Sequence, residues 1–212
     1  MDMTSTAGGC RPVHRARARW LVVLAFVSVA TFITHAAGVA PRARGLVRVA
    51  GRPAANVVVW LEAPDAPAPA PERVVLDQRN LRFAPKVLAV RVGTEVLFPN
   101  NDRVFHNVFS FHHGKVFDLG LYPVGDSKAV RFDKPGLSRI FCNIHPNMAA
   151  YVVAVDSPYF AVTDETGAFE LPPVPAGRYT YRAWRSAGPE LSGVWTIGPA
   201  GESTELSIEW PK

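Results

Sequence analysis

Cysteine is nearly missing: the 212 residues contain two, Cys10 and Cys142. That excludes a disulfide-dense scaffold, a four-cysteine zinc site and a cysteine-held iron–sulfur cluster. Methionine is almost as scarce, at three, and charged residues make up only 19% against 48% apolar. So apolar a chain is not disordered, and its length allows one large domain or two small ones with a buried core. No helical period persists, and 19 prolines argue against a helical bundle. The sequence also lacks a nucleophile elbow, a phosphate-cradling glycine loop and paired carboxylates on a marked turn, so no hydrolase or transferase is expected.

The net charge of +5 suggests nucleic acid until its distribution is followed. Arg11, Arg15, Arg17 and Arg19 precede an apolar run, Trp20 to Ile33, which ends in the small residues THAAGVA. A basic start, an apolar core and a small-residue exit read as a secretory signal peptide over residues 1–40. Cleavage after Ala36 or Ala40 satisfies the small-residue requirement. The competing reading, an uncleaved anchor, is weakened by His35, because a span wants about 20 firmly apolar residues. Without that segment 19 basic and 17 acidic residues remain, with Cys142, Met148, His106, His112, His113 and His145. No basic run with interleaved aromatics is left, so nucleic acid is not an expected partner, and neither is a membrane after signal cleavage. The expected location is the periplasm or another exported compartment, where a lone thiol needs protection or a use.

Beyond the signal, short β-branched runs alternate with Gly, Pro and Asn-Asp turns, the punctuation of an all-β antiparallel sandwich. Residues 63–72 form a Pro/Ala linker (APDAPAPAP begins it) of extended character. Residues 73–158 form one strand-rich module. All four tryptophans beyond the signal (Trp60, Trp184, Trp195, Trp210) fall outside it. Segments 41–62 and 159–212 therefore read as parts of a second sandwich that the module interrupts, since two strands before the linker cannot bury a core alone.

The chemistry concentrates in Cys142-Asn-Ile-His145-Pro-Asn-Met148 at a strand end, with His106 after an Asn-Asn-Asp turn 36 residues upstream. One thiolate and two imidazoles make a trigonal set, and a thioether adds a weak fourth ligand. This soft set selects one copper ion of the electron-transfer type. Zinc gains little from a thioether, and haem attachment needs a second cysteine. Asn107 is a candidate to hold the Cys142 loop from outside the ligand set, the competing reading being a plain turn residue. His112 and His113 lie six or seven extended residues past His106, roughly 20 Å away on a straight strand, and point to opposite faces. They read as a solvated strand end. Arg103 and Lys115 read as scattered surface charge. A copper oxidase needs further clustered histidines, which the chain lacks.

Residues 85–156 resemble the cupredoxins of the plastocyanin/amicyanin family. VRVGTEVLFPNND, followed three residues on by His106-Asn107-Val108, is similar to their first-histidine region. Cys142-x2-His145-x2-Met148 with Pro146 has the amicyanin loop length. The resemblance implies a Greek-key sandwich with a type 1 (blue) copper at His106, Cys142, His145 and Met148. It implies a one-electron carrier, not an enzyme, with His145 at the solvent edge and a redox partner such as a periplasmic dehydrogenase or cytochrome. GRPAANVVVWLEAP and TDETGAFELPPVPAGRY resemble the carboxypeptidase regulatory-like (transthyretin-like) sandwich, and the whole is similar to periplasmic methylamine-utilisation or plastocyanin-like proteins. The alternatives are a copper module for delivery, storage or sensing, and a redox-silent envelope interaction module.

Overall fold

Strands and turns, without helices, make up the described residues. The computed structural model describes residues 42–63, 65–67, 72–111, 113–199 and 202–211. The expected signal segment, half of the Pro/Ala linker and His112 lie outside them. Before the linker come β1 (Arg42–Val49), β2 (Arg52–Pro53) and β3 (Val58–Leu61). The middle segment supplies β4 (Arg73–Val75), β5 (Asp77–Arg79), β6 (Arg82–Ala84), β7 (Val87–Arg91), β8 (Glu95–Pro99), β9 (His106–Ser110) and β10 (Phe117–Tyr122). It continues with β11 (Ser127–Arg131), β12 (Gly136–Phe141) and β13 (Ala149–Val155). The last segment holds β14 (Phe160–Val162), β15 (Ala168–Glu170), β16 (Gly177–Trp184), β17 (Leu191–Ile197) and β18 (Ser203–Trp210).

The middle strands form a five-stranded sheet, β10-β9-β12-β13-β7, a three-stranded sheet, β11-β8-β4, and the β5-β6 hairpin. Between them lies a core of Val96, Phe98, Val108, Phe132, Ile140, Ala150 and Val152, among others. Period-two alternation builds it: in β8 Val96 and Phe98 turn inward, and in β12 Ser138 and Ile140 turn inward while Arg139 faces water. The flanking segments share two further sheets. One has the order β15-β1-β18 with β2 on β1; the other has the order β14-β3-β16-β17. Val47, Val59, Leu61, Phe169, Trp195, Ile208 and Trp210 fill the space between these two sheets.

An antiparallel sandwich is expected from the turn punctuation, yet three pairs are parallel: β1 with β18, β4 with β8, and β13 with β7. Each joins strands whose connection leaves the sheet, and such crossovers permit parallel neighbours where hairpins do not.

Two strands are apolar on both faces because both faces are covered. In β13, Ala150, Val152 and Ala154 enter the middle core, while Val153 and Val155 face a separate cluster with Val58 and Val87. In β3, Val59 and Leu61 enter the flanking core and Val58 joins that same cluster. Trp60, Trp184 and Tyr151 pack around its rim. The run NVVVWL is therefore continuous where a half-exposed strand would alternate.

Candidate metal centre

The first ligand candidate is set by a turn and the strand it feeds. Asn100, wholly buried, donates from Nδ2 to the Val104 and Tyr122 carbonyls (2.9 and 3.3 Å) and accepts from the Asp102 amide. This fixes the 100–104 turn, and His106 opens β9 with its side chain fully buried. Asp102 Oδ2 lies 3.0 Å from His106 Nε2. Burial pushes the Asp102 carboxyl up, but the amides of Leu81 (2.7 Å) and Arg103 (2.9 Å), with His106, outweigh it and hold the carboxyl below its ordinary value. An ionised Asp102 accepts a proton bond from Nε2–H, which leaves the lone pair of His106 on Nδ1.

The other candidates come from a seven-residue loop. Cys142 follows β12 directly and is buried. Its N–H donates to the Met148 carbonyl (3.3 Å), and the Met148 N–H donates to the His145 carbonyl (2.9 Å). The second bond closes a β-turn over His145–Met148 in which Pro146 occupies the position its fixed φ suits. His145 is thereby folded back over Cys142 and remains partly exposed. Met148 is buried in the same core as Cys142.

Three donor atoms converge. His106 Nδ1 and His145 Nδ1 are 3.0 Å apart, and Cys142 Sγ lies 3.9 Å from the first and 3.7 Å from the second. These edges define a triangle whose centre is about 2.1 Å from every corner, the bonding distance for imidazole and close to that for thiolate. A metal ion at this point would be held by one thiolate and two imidazoles. A soft thiolate beside two imidazoles is a donor set that suits copper. The group His106–Cys142–His145 is placed to hold a metal ion.

The structure differs from expectation at Asn107. It is buried, as a supporting residue should be, but its amide donates to Asp118 on β10 (2.7 Å) and not to the Cys142 loop. Asp118 in turn accepts from the Gly120 amide where the β9–β10 register shifts, so Asn107 secures the edge strand beside His106. Asp102 is the supporting residue that sequence reasoning passed over. Its signal in the sequence is an acid four positions before His106, inside the Asn-Asn-Asp turn. His113 follows β9 in the left-handed region (φ 44°) and is not in the metal group. Lys115 pairs with Asp133 (2.8 Å).

No family model matches the chain, and no curated protein sequence matches it. Among solved structures, it is similar to a purple cupredoxin from Nitrosopumilus maritimus at 26% identity and a TM-score of 0.35, covering 40% of this chain and 99% of that one. Amicyanin from Paracoccus versutus is similar at 22% identity and a TM-score of 0.36, covering 46% of this chain and 97% of that one. A copper-containing nitrite reductase from Thermus scotoductus is similar at 27% identity and a TM-score of 0.39; the match spans 45% of this chain and only 25% of the reductase.

Proposed function

We propose that the chain is an exported one-electron carrier built on one type 1 copper ion, with no bond-making chemistry of its own. The observation that carries this reading is the triangle of His106 Nδ1, His145 Nδ1 and Cys142 Sγ, three donors close enough to hold one ion between them. Copper there supplies a single redox electron. The residues hold the three donors in one arrangement for both oxidation states: Asp102 fixes the His106 ring, and the Pro146 turn fixes His145 and Cys142. Met148, buried in the same core as Cys142, would add a fourth, weaker ligand. His145, partly exposed, would be the ligand on the electron's route to solvent, and the exposed apolar residues Phe105, Ile144 and Leu81 on neighbouring loops would form the surface a redox partner covers. Such a partner is a protein of the same compartment, a dehydrogenase or a cytochrome.

Export rests on the basic-apolar-small pattern of residues 1–40; among the described residues no helix is long and apolar enough to cross a membrane. In this reading residues 41–62 and 159–212 form a transthyretin-like platform into which the copper domain, 73–158, is inserted, with 63–72 as linker. The test is to add Cu(II) to the purified protein. An intense visible thiolate charge-transfer band, bleached and restored by one electron and lost in Cys142→Ser, is the expected result. A colourless copper complex, or a coloured and redox-active Cys142→Ser protein, overturns the proposal.

A further inference from the structure

The metal end of the molecule carries cations that no carboxylate pairs with among the described residues. The β5–β6 hairpin and the segment after it carry Arg79, Arg82 and Lys86, of which Arg82 and Lys86 lie beside Asn147 of the ligand loop, and the 100–105 turn adds Arg103; all four are exposed. The acids in the same two stretches are engaged. Asp77 holds Arg79 (3.4 Å) and accepts from Asn101 (2.8 Å), and Asp102 is taken up by His106 and two amides. Arg82, Lys86 and Arg103 form no ion pair among the described residues. Lys86 donates only to the Ala149 carbonyl (2.7 Å) and lies 6.0 Å from the Tyr151 ring.

Two of these cations face a common hollow. A cleft of about 440 Å³ is lined by Arg82, Phe83, Ala84, Lys86, Asn147 and Ala149 and contains no carboxylate. Asn147 sits between His145 and Met148, so one wall of the cleft is the ligand loop itself. A second hollow, of about 560 Å³, shares Arg82, Phe83 and Ala84 and extends toward Arg79 and Asn80, with Asp77, the partner of Arg79, in its lining. Arg82 thus borders both hollows, and only the one beside Asn147 is free of acids.

We infer that this cleft is the docking site for an acidic patch on the redox partner, with a partner carboxylate entering between Arg82 and Lys86 beside Asn147. This deepens the electron-carrier reading and rests on it. Uncompensated guanidinium and ammonium groups at the rim of a recess attract carboxylates over a Debye length and orient the encounter, while the apolar residues around His145 supply close contact once docked. The partner's electron then crosses near its point of attachment, because the cleft wall and the exposed ligand belong to one loop.

Two measurements separate this inference from the reading beneath it. In the first, hexaglutamate is titrated into metal-free protein at low salt while backbone amide shifts are followed. The expected shifts fall at Arg82, Lys86, Asn147 and Ala149 and vanish in the double variant Arg82→Glu, Lys86→Glu. In the second, the reduced copper protein is oxidised by hexacyanoferrate(III), an anionic one-electron acceptor, and by a cationic cobalt(III) complex. The anionic reaction should slow as salt rises, and the double variant should slow it about fivefold or more at low salt while accelerating the cationic reaction. Hexaglutamate shifts absent from the cleft, or rates that ignore the charge reversal, overturn the docking site. A protein that never forms a reducible coloured complex, yet still shows the cleft shifts, overturns the electron-carrier reading and leaves the anion site standing.

Discussion

A histidine ligand is useful only if the correct nitrogen faces the metal, and at His106 that choice is made by Asp102. Leu81, Arg103 and His106 together occupy its carboxylate, which therefore stays ionised and keeps the proton of His106 on Nε2. Asp102→Ala should weaken copper binding about 10- to 100-fold, as loss of a partner behind a metal ligand commonly does. It should also raise the reduction potential, because a nearby negative charge favours the more oxidised ion. Asp102→Asn keeps one acceptor and should fall between. A chelator competition and a potentiometric titration read both effects; unchanged affinity in the alanine variant would mean that packing alone orients the ring. Tyr122, opposite His106 in the β9–β10 ladder, supplies a pH dependence. Burial pushes its phenol well above the ordinary value of 10; a hydrogen bond from Gln78 (2.6 Å) opposes this, and the Cys142 charge adds to it. The folded phenol keeps its proton where the unfolded one loses it. Its contribution is complete below the unfolded pKa and is lost as pH rises from there toward the folded value. Urea midpoints should fall from about pH 9 to about pH 11.5, and less steeply in Tyr122→Phe. Equal slopes would show that the phenol titrates freely in the folded protein.

At the scale of elements, the strands that were easiest to read are those with a single buried face. Glu95–Phe98 and Ser138–Phe141 alternate and match β8 and β12 to within two residues at each end. The Cys-x2-His-x2-Met loop was legible because ligand chemistry restricts both residue type and spacing, so His106, Cys142 and His145 could be named without coordinates. What stayed hidden has physical causes. β10 contains Gly120 at φ 64° and a register shift, which break the alternation a strand normally displays. The strands β4, β5 and β6 are three residues each, too short for a period to register. Parallel pairings were invisible because pattern reports which face is buried and not which neighbour lies alongside. The role of Asp102 depends on a fold that brings Leu81 to its carboxylate from 21 positions away. The closure of the flanking sandwich offers a test on this scale. Thr163 Oγ1 accepts from the Val57 N–H (2.9 Å) and donates to the Ala54 carbonyl (2.7 Å), tying the strand before the linker to the chain more than 100 residues later. Thr163→Val leaves the buried Val57 N–H unpaired, removes the partner of the half-buried Ala54 carbonyl, and should cost about 1–3 kcal/mol in urea unfolding. The visible band of the copper-loaded variant should be unchanged, since the substitution lies in the other sandwich; a shifted band would show that the two are coupled.

The molecule as a whole poses the question of how independent its two sandwiches are. Described residues of the middle core all lie between Val74 and Ala154, and all three donors of the metal triangle lie within the same limits. A unit with its own core and its own ligands has what it needs to fold alone. Against that stands the junction, where Val58 from β3 packs with Val87, Val153 and Val155, and where the Trp184 and Tyr151 rings meet at 5.2 Å. Excising residues 72–158 removes Val58, Trp60 and Trp184 and bares one face of β7 and β13. The two apolar surfaces now facing each other become wet on one side, at about 25 cal/mol for every Å² exposed. The excised segment should still bind copper and develop the thiolate band, because none of the three donors belongs to the junction cluster. Its urea midpoint should be lower than that of the intact chain, and it should self-associate at high concentration through the bared β-face, as exposed apolar strands do. Sedimentation and a copper titration of the fragment measure both. A fragment that fails to unfold cooperatively would mean that β3 and β16 are structural members of the copper-binding half, and that the junction is one side of a single continuous core.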